Sequence, residues 1–296
     1  MAVSPTLDDL GSVPQWFSQA IAHAPEHVDM SILGANVHVR VWGDRSLPGL
    51  VLVHGGSAHS GWWDHIGPQL ARSHRVVAID LSGHGDSAWR ESYSMGAWGE
   101  EVLAAATALI DGPPILIGHS MGGGVSFAAA GEHPDSVAGL IVIDTALDPR
   151  RLERDGMLPA LRPPRVHATF EDAVARFRTI PEQAVVLPYV GRHVAEQSLK
   201  PVEGGWTWKY DPNFFGQTPG RSMSEMLSSL KCPTVCLRAE FGLVTQQMAE
   251  ELQELVSTTI PFVELPQSGH HPMLDQPLAL VAAISSALEL WIRPKR

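Results

Sequence analysis

Short apolar runs separated by helix-length segments form the main pattern of the chain. Such runs occur at 50–55 (LVLVHG), 75–80 (RVVAID), 114–120 (PILIGHS) and 140–144 (LIVID). Continuous apolar runs of this length are typical of strands buried on both faces of a parallel sheet, with crossover helices between them. Ahead of them, Val37, Val39 and Val41 alternate with polar residues and predict a half-buried edge strand. Helical spacing around Trp16 predicts a short amphipathic helix before that strand.

The alternation of strands and helices stops after Asp144. From 148 to 221 the sequence is rich in Pro and Arg and then in aromatic residues, without a strand period. Strands are predicted again at 233–239 and 261–266, with helices at 245–256 and 278–292. The sequence therefore predicts one α/β core, made of residues 1–147 and 222–296, with an insertion at 148–221.

A serine lies in the motif Gly118-His119-Ser120-Met121-Gly122, between a predicted strand and a helix of small residues. A serine on so tight a strand-to-helix turn adopts a sparsely populated backbone conformation, and glycines on either side leave room for the turn. The turn exposes the hydroxyl at the carboxyl end of a central strand, next to the free N–H groups of the helix start. The pattern therefore indicates that Ser120 is a nucleophile.

A serine hydroxyl needs a base within hydrogen-bond reach, and histidine is the usual one. The chain has 14 histidines, so the position in the chain has to decide. With this strand-to-helix arrangement the base follows the nucleophile and lies in the loop after the last strand. His270 and His271 are both in that loop. We favour His270 as the base and His271 as a loop or pocket residue.

Charge and composition exclude several classes of function. The 21 basic and 32 acidic side chains give a net charge of −11, which disfavours nucleic acid and anionic membranes as partners. The two cysteines, Cys232 and Cys236, are four positions apart in a predicted strand, too far for a disulfide. The N-terminal residues lack the pattern of a secretory signal. We expect a globular cytoplasmic protein with a small-molecule substrate, and the sequence leaves a homodimer open.

The ordered motifs HGG (54–56), DLSGHGDS (80–87), GHSMGG (118–123) and GHHPMLDQP (269–277) resemble those of the α/β-hydrolase fold family. The resemblance implies a mostly parallel eight-stranded sheet flanked by helices, with the insertion forming a mainly helical cap after the sixth strand. It also implies that the backbone amides of Gly56 and Met121 form an oxyanion hole. His84 and Asp86 in the second motif are expected to shape a turn, and His54 to brace the oxyanion loop.

The third member of a catalytic triad departs from the family's common pattern. Many relatives carry the acid after the strand that precedes the last one, but Gly242 occupies that position here. Asp144, at the end of the sixth predicted strand, matches the position that a minority of the family uses. Glu240 lies two residues before the usual position. We favour Asp144 over Glu240, while Asp148, Asp275 and a dyad without an acid stay open.

These residues predict a cofactor-independent serine hydrolase that cleaves a carboxylic ester of a small, largely apolar substrate through an acyl-enzyme. A lactonase or a C–C bond hydrolase would use the same triad. A non-catalytic ligand receptor or a cofactor-free lyase or oxygenase on this fold are the alternatives from other classes. No His, Cys or carboxylate residues have metal-ligand spacing, so no metal or cofactor is expected. Trp206, Trp208 and Tyr210 are candidates for a substrate pocket or for the core of the cap.

Overall fold

The computed structural model describes residues 12–146, 156, 163–215, 223–255 and 260–292. Eight strands form one sheet in the order β1-β2-β4-β3-β5-β6-β9-β10. Only the β1–β2 and β2–β4 pairs are antiparallel, so the predicted mostly parallel eight-stranded sheet is confirmed. The strands are β1 (Glu26–Ile32), β2 (Ala35–Trp42), β3 (Gly49–Val53), β4 (Arg75–Ile79), β5 (Ile115–His119), β6 (Gly139–Ile143), β9 (Thr234–Phe241) and β10 (Phe262–Gly269).

Helices cover both faces of the sheet, because alternate residues of its central strands point to opposite sides. In β3, Leu50 and Leu52 belong to one buried cluster, and Val51 and Val53 belong to the other. The helices are α1 (Gln15–Ala22), α2 (Gly67–Leu70), α3 (Met95–Leu109), α4 (Met121–Glu132), α5 (Phe170–Val174), α6 (Pro188–Gln197), α7 (Met223–Ser228), α8 (Gln246–Leu255), α9 (Pro272–Asp275) and α10 (Pro277–Ile292). None of the helices within the described residues has the length and apolar character needed to cross a membrane.

The strand that carries Val37, Val39 and Val41 is not the edge strand that its alternating pattern predicts. β1 pairs with its outer side, so β2 lies inside the sheet. The polar residues between the valines are buried as well, because each has a charged partner. His38 Nδ1 donates to Asp80 at 2.8 Å, and Arg40 pairs with Asp64.

The insertion, described here over residues 163–215, contains a β-hairpin besides α5 and α6. The hairpin pairs β7 (Leu199–Val202) with β8 (Gly205–Trp208). It was not predicted, because each strand is only four residues long. The signal that could have revealed it is the pair Gly204 and Gly205 at the turn, where both residues have a positive φ. The predicted ends of the insertion, at 148 and 221, lie outside the described residues, so its boundaries stay a prediction.

Candidate active site

Ser120 lies on the sharp turn between β5 and α4. Its φ of 52° and ψ of −119° fall in the strained region that a nucleophile elbow requires. Glycines make this turn possible. A Cβ at Gly118 would lie 2.4 Å from the carbonyl oxygen of Gly122, and a Cβ at Gly122 would lie 2.4 Å from that of His54. The side chain of Ser120 is therefore presented at the carboxyl edge of the sheet, where the residue is half-buried.

His270, at the end of β10, lies between Ser120 and Asp144. Its Nε2 is 3.0 Å from Ser120 Oγ, and its Nδ1 is 2.7 Å from Asp144 Oδ2. The Asp144 carboxylate can accept only, so Nδ1 carries the proton and Nε2 offers its lone pair to the Ser120 hydroxyl. The structure thus brings together the three residues that the sequence analysis selected, in the geometry of a nucleophile, a base and an orienting acid.

Asp144 is held rigidly at the end of β6. Its carboxylate accepts hydrogen bonds from the backbone N–H groups of Leu243 at 2.7 Å and Ala239 at 3.2 Å, in addition to the one from His270. A Cβ at Gly242 would lie only 2.3 Å from Asp144 Oδ2. Gly242 stands where many relatives carry the acid, and the absence of a side chain there makes room for a carboxylate that comes from the neighbouring strand.

Glu240, the alternative acid, points elsewhere. Glu240 is exposed, and its carboxylate accepts a hydrogen bond from the backbone N–H of Gln267 at 2.7 Å. The Asp275 carboxylate also binds elsewhere, because it accepts a hydrogen bond from the Gly269 N–H at 2.6 Å. Asp148 lies outside the described residues.

The two backbone amides predicted to form an oxyanion hole belong to Met121 and Gly56. Met121 is the first residue of α4, so its N–H has no carbonyl acceptor within the helix. Gly56 lies in the loop after β3, and the side chain of His54 holds this loop through two hydrogen bonds. His54 Nδ1 donates to the carbonyl of Gly55 at 2.7 Å, and its Nε2 accepts from the N–H of Leu81 at 3.1 Å. This arrangement agrees with the bracing role expected for His54.

Contacts from two directions fix the loop that carries His270. On one side Asp275 binds the Gly269 N–H, and burial raises the pKa of this carboxyl group to about 6. On the other side Gln183, in the insertion, accepts the His271 N–H at 2.8 Å. A Cβ at Gly269 would lie 2.6 Å from the Gln183 carboxamide carbon, so the absence of a side chain at Gly269 leaves room for the glutamine.

Two further histidines surround His270, and the sequence analysis did not predict this cluster. His119 Nε2 donates to the backbone carbonyl of His270 at 2.8 Å, and burial lowers the pKa of His119 to about 3. The ring centroid of His271 is 4.6 Å from that of His270, and burial holds the pKa of His271 well below its usual value. Both rings are therefore neutral near pH 7. The double histidine in the loop and the histidine before Ser120 were the available signals.

The aromatic residues proposed for a substrate pocket are divided between two environments. Trp208 and Tyr210 line an open cavity of about 820 Å³ in the insertion. Trp206 packs against Phe170, with ring centroids 4.9 Å apart. Trp62 lies beside the loop that carries His270, and its ring centroid is 5.3 Å from that of His271. Trp62 was not selected from the sequence, because it belongs to the loop after β3 and not to the insertion.

Comparison with known proteins places the chain in a family. Residues 50–284 match the model of the alpha/beta hydrolase family. The chain belongs to this family. Among its relatives, esterase Rv0045c from Mycobacterium tuberculosis is 28% identical over 295 residues, which cover 96% of each chain. The pimeloyl-(acyl-carrier protein) methyl ester esterase of Chromobacterium violaceum is 26% identical over 254 residues, covering 82% of this chain and 94% of that protein.

Solved structures agree with the fold. The crystal structure of E-2-(acetamidomethylene)succinate hydrolase superimposes with a TM-score of 0.77, covering 90% of this chain and 99% of that one at 22% identity. At this level of identity the likeness concerns the fold alone. The named relatives and the family match support the assignment of this member of the family as a hydrolase.

Proposed function

We propose that the protein is a serine hydrolase that cleaves carboxylic esters of small, largely apolar substrates through an acyl-enzyme, without a cofactor. The observation that carries the proposal is the continuous chain of hydrogen bonds from Ser120 through His270 to Asp144. Both relatives described above are named esterases, which supports the ester class. A lactone would pass through the same steps, and so would a C–C bond beside a carbonyl group.

In the proposed reaction Ser120 Oγ attacks the carbonyl carbon and passes its proton to His270 Nε2. His270 returns this proton to the leaving alcohol as the C–O bond breaks, which leaves an acyl group on Ser120. Water then attacks the acyl group and gives a proton to His270. The acid departs as Ser120 regains that proton. Asp144 keeps the imidazole in its productive tautomer and stabilises the imidazolium.

The backbone N–H groups of Gly56 and Met121 would stabilise the negative charge on the carbonyl oxygen at both steps. Each such donor contributes about 3 kcal/mol to the transition state in enzymes of this kind. Met121 lies at the start of α4, where the helix dipole adds to the positive potential.

Fluorophosphonate labelling of the wild type and of Ser120→Ala tests the nucleophile. We expect a single adduct on Ser120 in the wild type by intact mass and peptide mapping, and no adduct in the variant. A panel of esters and lactones then identifies the substrate class. A folded wild-type protein that takes up no label would contradict the proposal and favour the ligand-receptor alternative.

A pair of carboxyl variants tests the acid. Asp144→Asn keeps the shape of the side chain but favours the wrong tautomer of His270, so turnover should fall by about 10⁴-fold. Glu240→Gln is the matched control, because Glu240 binds the backbone of Gln267 and not His270. It should retain turnover within about threefold of the wild type, since it leaves the triad geometry intact. Equal losses in the two variants would exclude Asp144 as the orienting acid.

A further inference from the structure

The nucleophile and the base follow strands that are not neighbours in the sheet. Ser120 follows β5 and His270 follows β10, and β6 and β9 lie between these two strands. Neighbouring strands are about 4.8 Å apart, so three such spacings separate β5 from β10. The hydrogen bonds of the described sheet therefore do not set the distance between the Ser120 hydroxyl and the His270 imidazole directly.

The side chain of His119 spans this gap. His119 is the last residue of β5, and its Nε2 donates to the backbone carbonyl of His270 at 2.8 Å. The ring centroids of the two histidines are 4.8 Å apart. This bond goes to the main chain of His270, so it is separate from the bond between His270 Nε2 and Ser120 Oγ at 3.0 Å. His119 therefore links the residue next to the nucleophile to the backbone of the base.

The surroundings of His119 keep its ring in place and neutral. The residue is only 1% exposed. A Cβ at Gly55 would lie 3.0 Å from His119 Nδ1 and 3.3 Å from Ser120 Cβ, so the absence of a side chain at Gly55 leaves room for the ring. Burial, together with the nearby His270, lowers the pKa of His119 to about 3. Near pH 7 the ring therefore carries a single N–H, which the His270 carbonyl accepts.

We propose that His119 is a positioning residue, which sets the distance between Ser120 and His270 by binding the main chain of His270. The inference rests on the proposed function, because this distance affects turnover only if Ser120 attacks and His270 takes its proton. A misplacement of about 1 Å can lower turnover about 100-fold. A histidine with a merely structural role would stabilise the fold without changing kcat.

Two substitutions at His119 separate the hydrogen bond from the volume of the ring. His119→Gln keeps an N–H donor at the position of Nε2, whereas His119→Leu fills a similar volume without a donor. We expect His119→Gln to keep kcat within about threefold of the wild type. His119→Leu should lower kcat at least tenfold with little change in KM. Wild-type kcat in a folded His119→Leu protein, or equal losses in the two variants, would overturn the proposal.

His65→Leu is the matched control for the loss of a buried hydrogen bond. His65 is also buried, and its Nε2 donates to the Met273 carbonyl at 2.7 Å, but it is not next to Ser120 in the chain. We expect His65→Leu and His119→Leu to lower the urea midpoint of unfolding by similar amounts, and only His119→Leu to lower kcat. An equal fall of kcat in His65→Leu would overturn the proposal, because general loosening of the fold would then explain both losses.

A shorter amide keeps the test available if His119→Leu fails to fold. In that case His119→Asn replaces it, because the asparagine amide ends at the position of Nδ1 and does not reach the His270 carbonyl. The expected values of kcat and KM are those given for His119→Leu, and a wild-type kcat in His119→Asn would overturn the proposal.

Hydrogen exchange separates this inference from the proposed function, because it requires no turnover. In the loop that carries His270, the N–H groups of Gly269 and His271 are bound to Asp275 and Gln183. We expect both amides to exchange at least tenfold faster in His119→Leu than in His119→Gln, while the amides of α3 exchange at equal rates. Equal exchange of the loop in the two variants would overturn the inference, even in an active enzyme.

The proposed function can fail on its own. A wild-type protein that hydrolyses no ester and takes up no fluorophosphonate would contradict it. Faster exchange of the loop in the His119→Leu variant of that same protein would still support the hold of His119 on the main chain of His270.

Discussion

Asp144 and Gly242 share one small volume beside His270. Asp144 reaches it from the end of β6, while the chain after β9 contributes only a glycine and backbone N–H groups. A carboxylate placed on either strand could therefore occupy the same space. We therefore expect the orientation of His270 to depend on the presence of a carboxylate in this volume, and not on the strand from which it comes.

Moving the acid from one strand to the other tests this view. Gly242→Ala should lower turnover at least 100-fold, because its Cβ would lie 2.3 Å from Asp144 Oδ2 and would displace the carboxylate. Asp144→Gly removes the acid and tolerates the positive φ of 42° at this position. Adding Gly242→Asp to Asp144→Gly should recover activity about tenfold or more over the single Asp144→Gly variant.

The readout is kcat/KM on one ester for the two single variants and the double variant. Glu240→Asp together with Asp144→Gly is the control, since residue 240 faces Gln267. Recovery in this control, or none in the double variant, would mean that the shared volume does not determine the position of the acid.

At the residue level, Ser120 and His270 could be predicted from the sequence because each lies in a short, recognisable motif. The choice between Asp144 and Glu240 was harder, because it depends on how far β6 and β9 extend at the same edge of the sheet. Gly242 was the available clue, as it left the usual position without a carboxylate. The cluster of His119 with His271 was not predicted, since the two histidine positions reveal it only together with the path of the loop after β10.

Gln183 connects two elements that are far apart in the sequence, the insertion and the loop after β10. Its carboxamide oxygen accepts the His271 N–H at 2.8 Å, and its nitrogen donates to the Val185 carbonyl at 2.9 Å. The insertion thereby holds the backbone next to His270. We therefore expect Gln183 to be a positioning residue that acts on His270 through the main chain.

Gln183→Ala should lower kcat about tenfold with little change in KM. The reason is that the His271 N–H loses its acceptor, so the loop that carries His270 becomes more mobile. The fluorophosphonate labelling rate should fall in proportion, since it also requires His270. Gln69→Ala is the control, because this side chain donates to the His65 carbonyl, away from the loop. A large change in KM with unchanged kcat would indicate a role in substrate binding instead.

A buried ion pair fastens α6 of the insertion to the core. Arg40, on β2, donates to both carboxylate oxygens of Asp64 at 3.1 Å and also to Gln197 of α6. His193 of α6 binds the same carboxylate at 2.9 Å. This contact was not predicted, because the alternation along β2 assigns Arg40 to the solvent side of an edge strand.

Arg40→Met should destabilise the protein by about 3 kcal/mol or more, because the buried Asp64 carboxylate loses its main partner. The matched control is Arg45→Met. Arg45 pairs with Asp111 on the surface, where both side chains are more than half exposed, so the loss should stay below about 1 kcal/mol. Urea unfolding of both variants gives the two losses in the free energy of unfolding. Equal losses would show that the buried pair stabilises the protein no more than the exposed pair does.

Over the whole molecule, buried histidines set the response to acid. Burial lowers the pKa of seven of them, which are His54, His59, His65, His74, His84, His119 and His271. A histidine whose folded-state pKa is lowered takes up a proton more readily in the unfolded chain. Its contribution to stability is complete above pH 6.5 and is lost as the pH falls toward the folded-state value. Asp275, with its pKa raised to about 6, opposes this trend as a single group.

His65 offers the clearest test, because burial lowers its pKa to about 4 while Nε2 donates to the Met273 carbonyl at 2.7 Å. His65→Gln can keep that hydrogen bond but cannot titrate. The variant should therefore lose less stability than the wild type between pH 7 and pH 5, by up to about 1.4 kcal/mol per pH unit. Urea unfolding at several pH values measures the difference, with the exposed His23→Gln as control. Parallel stability curves for wild type and His65→Gln would contradict the assignment of acid sensitivity to this buried imidazole.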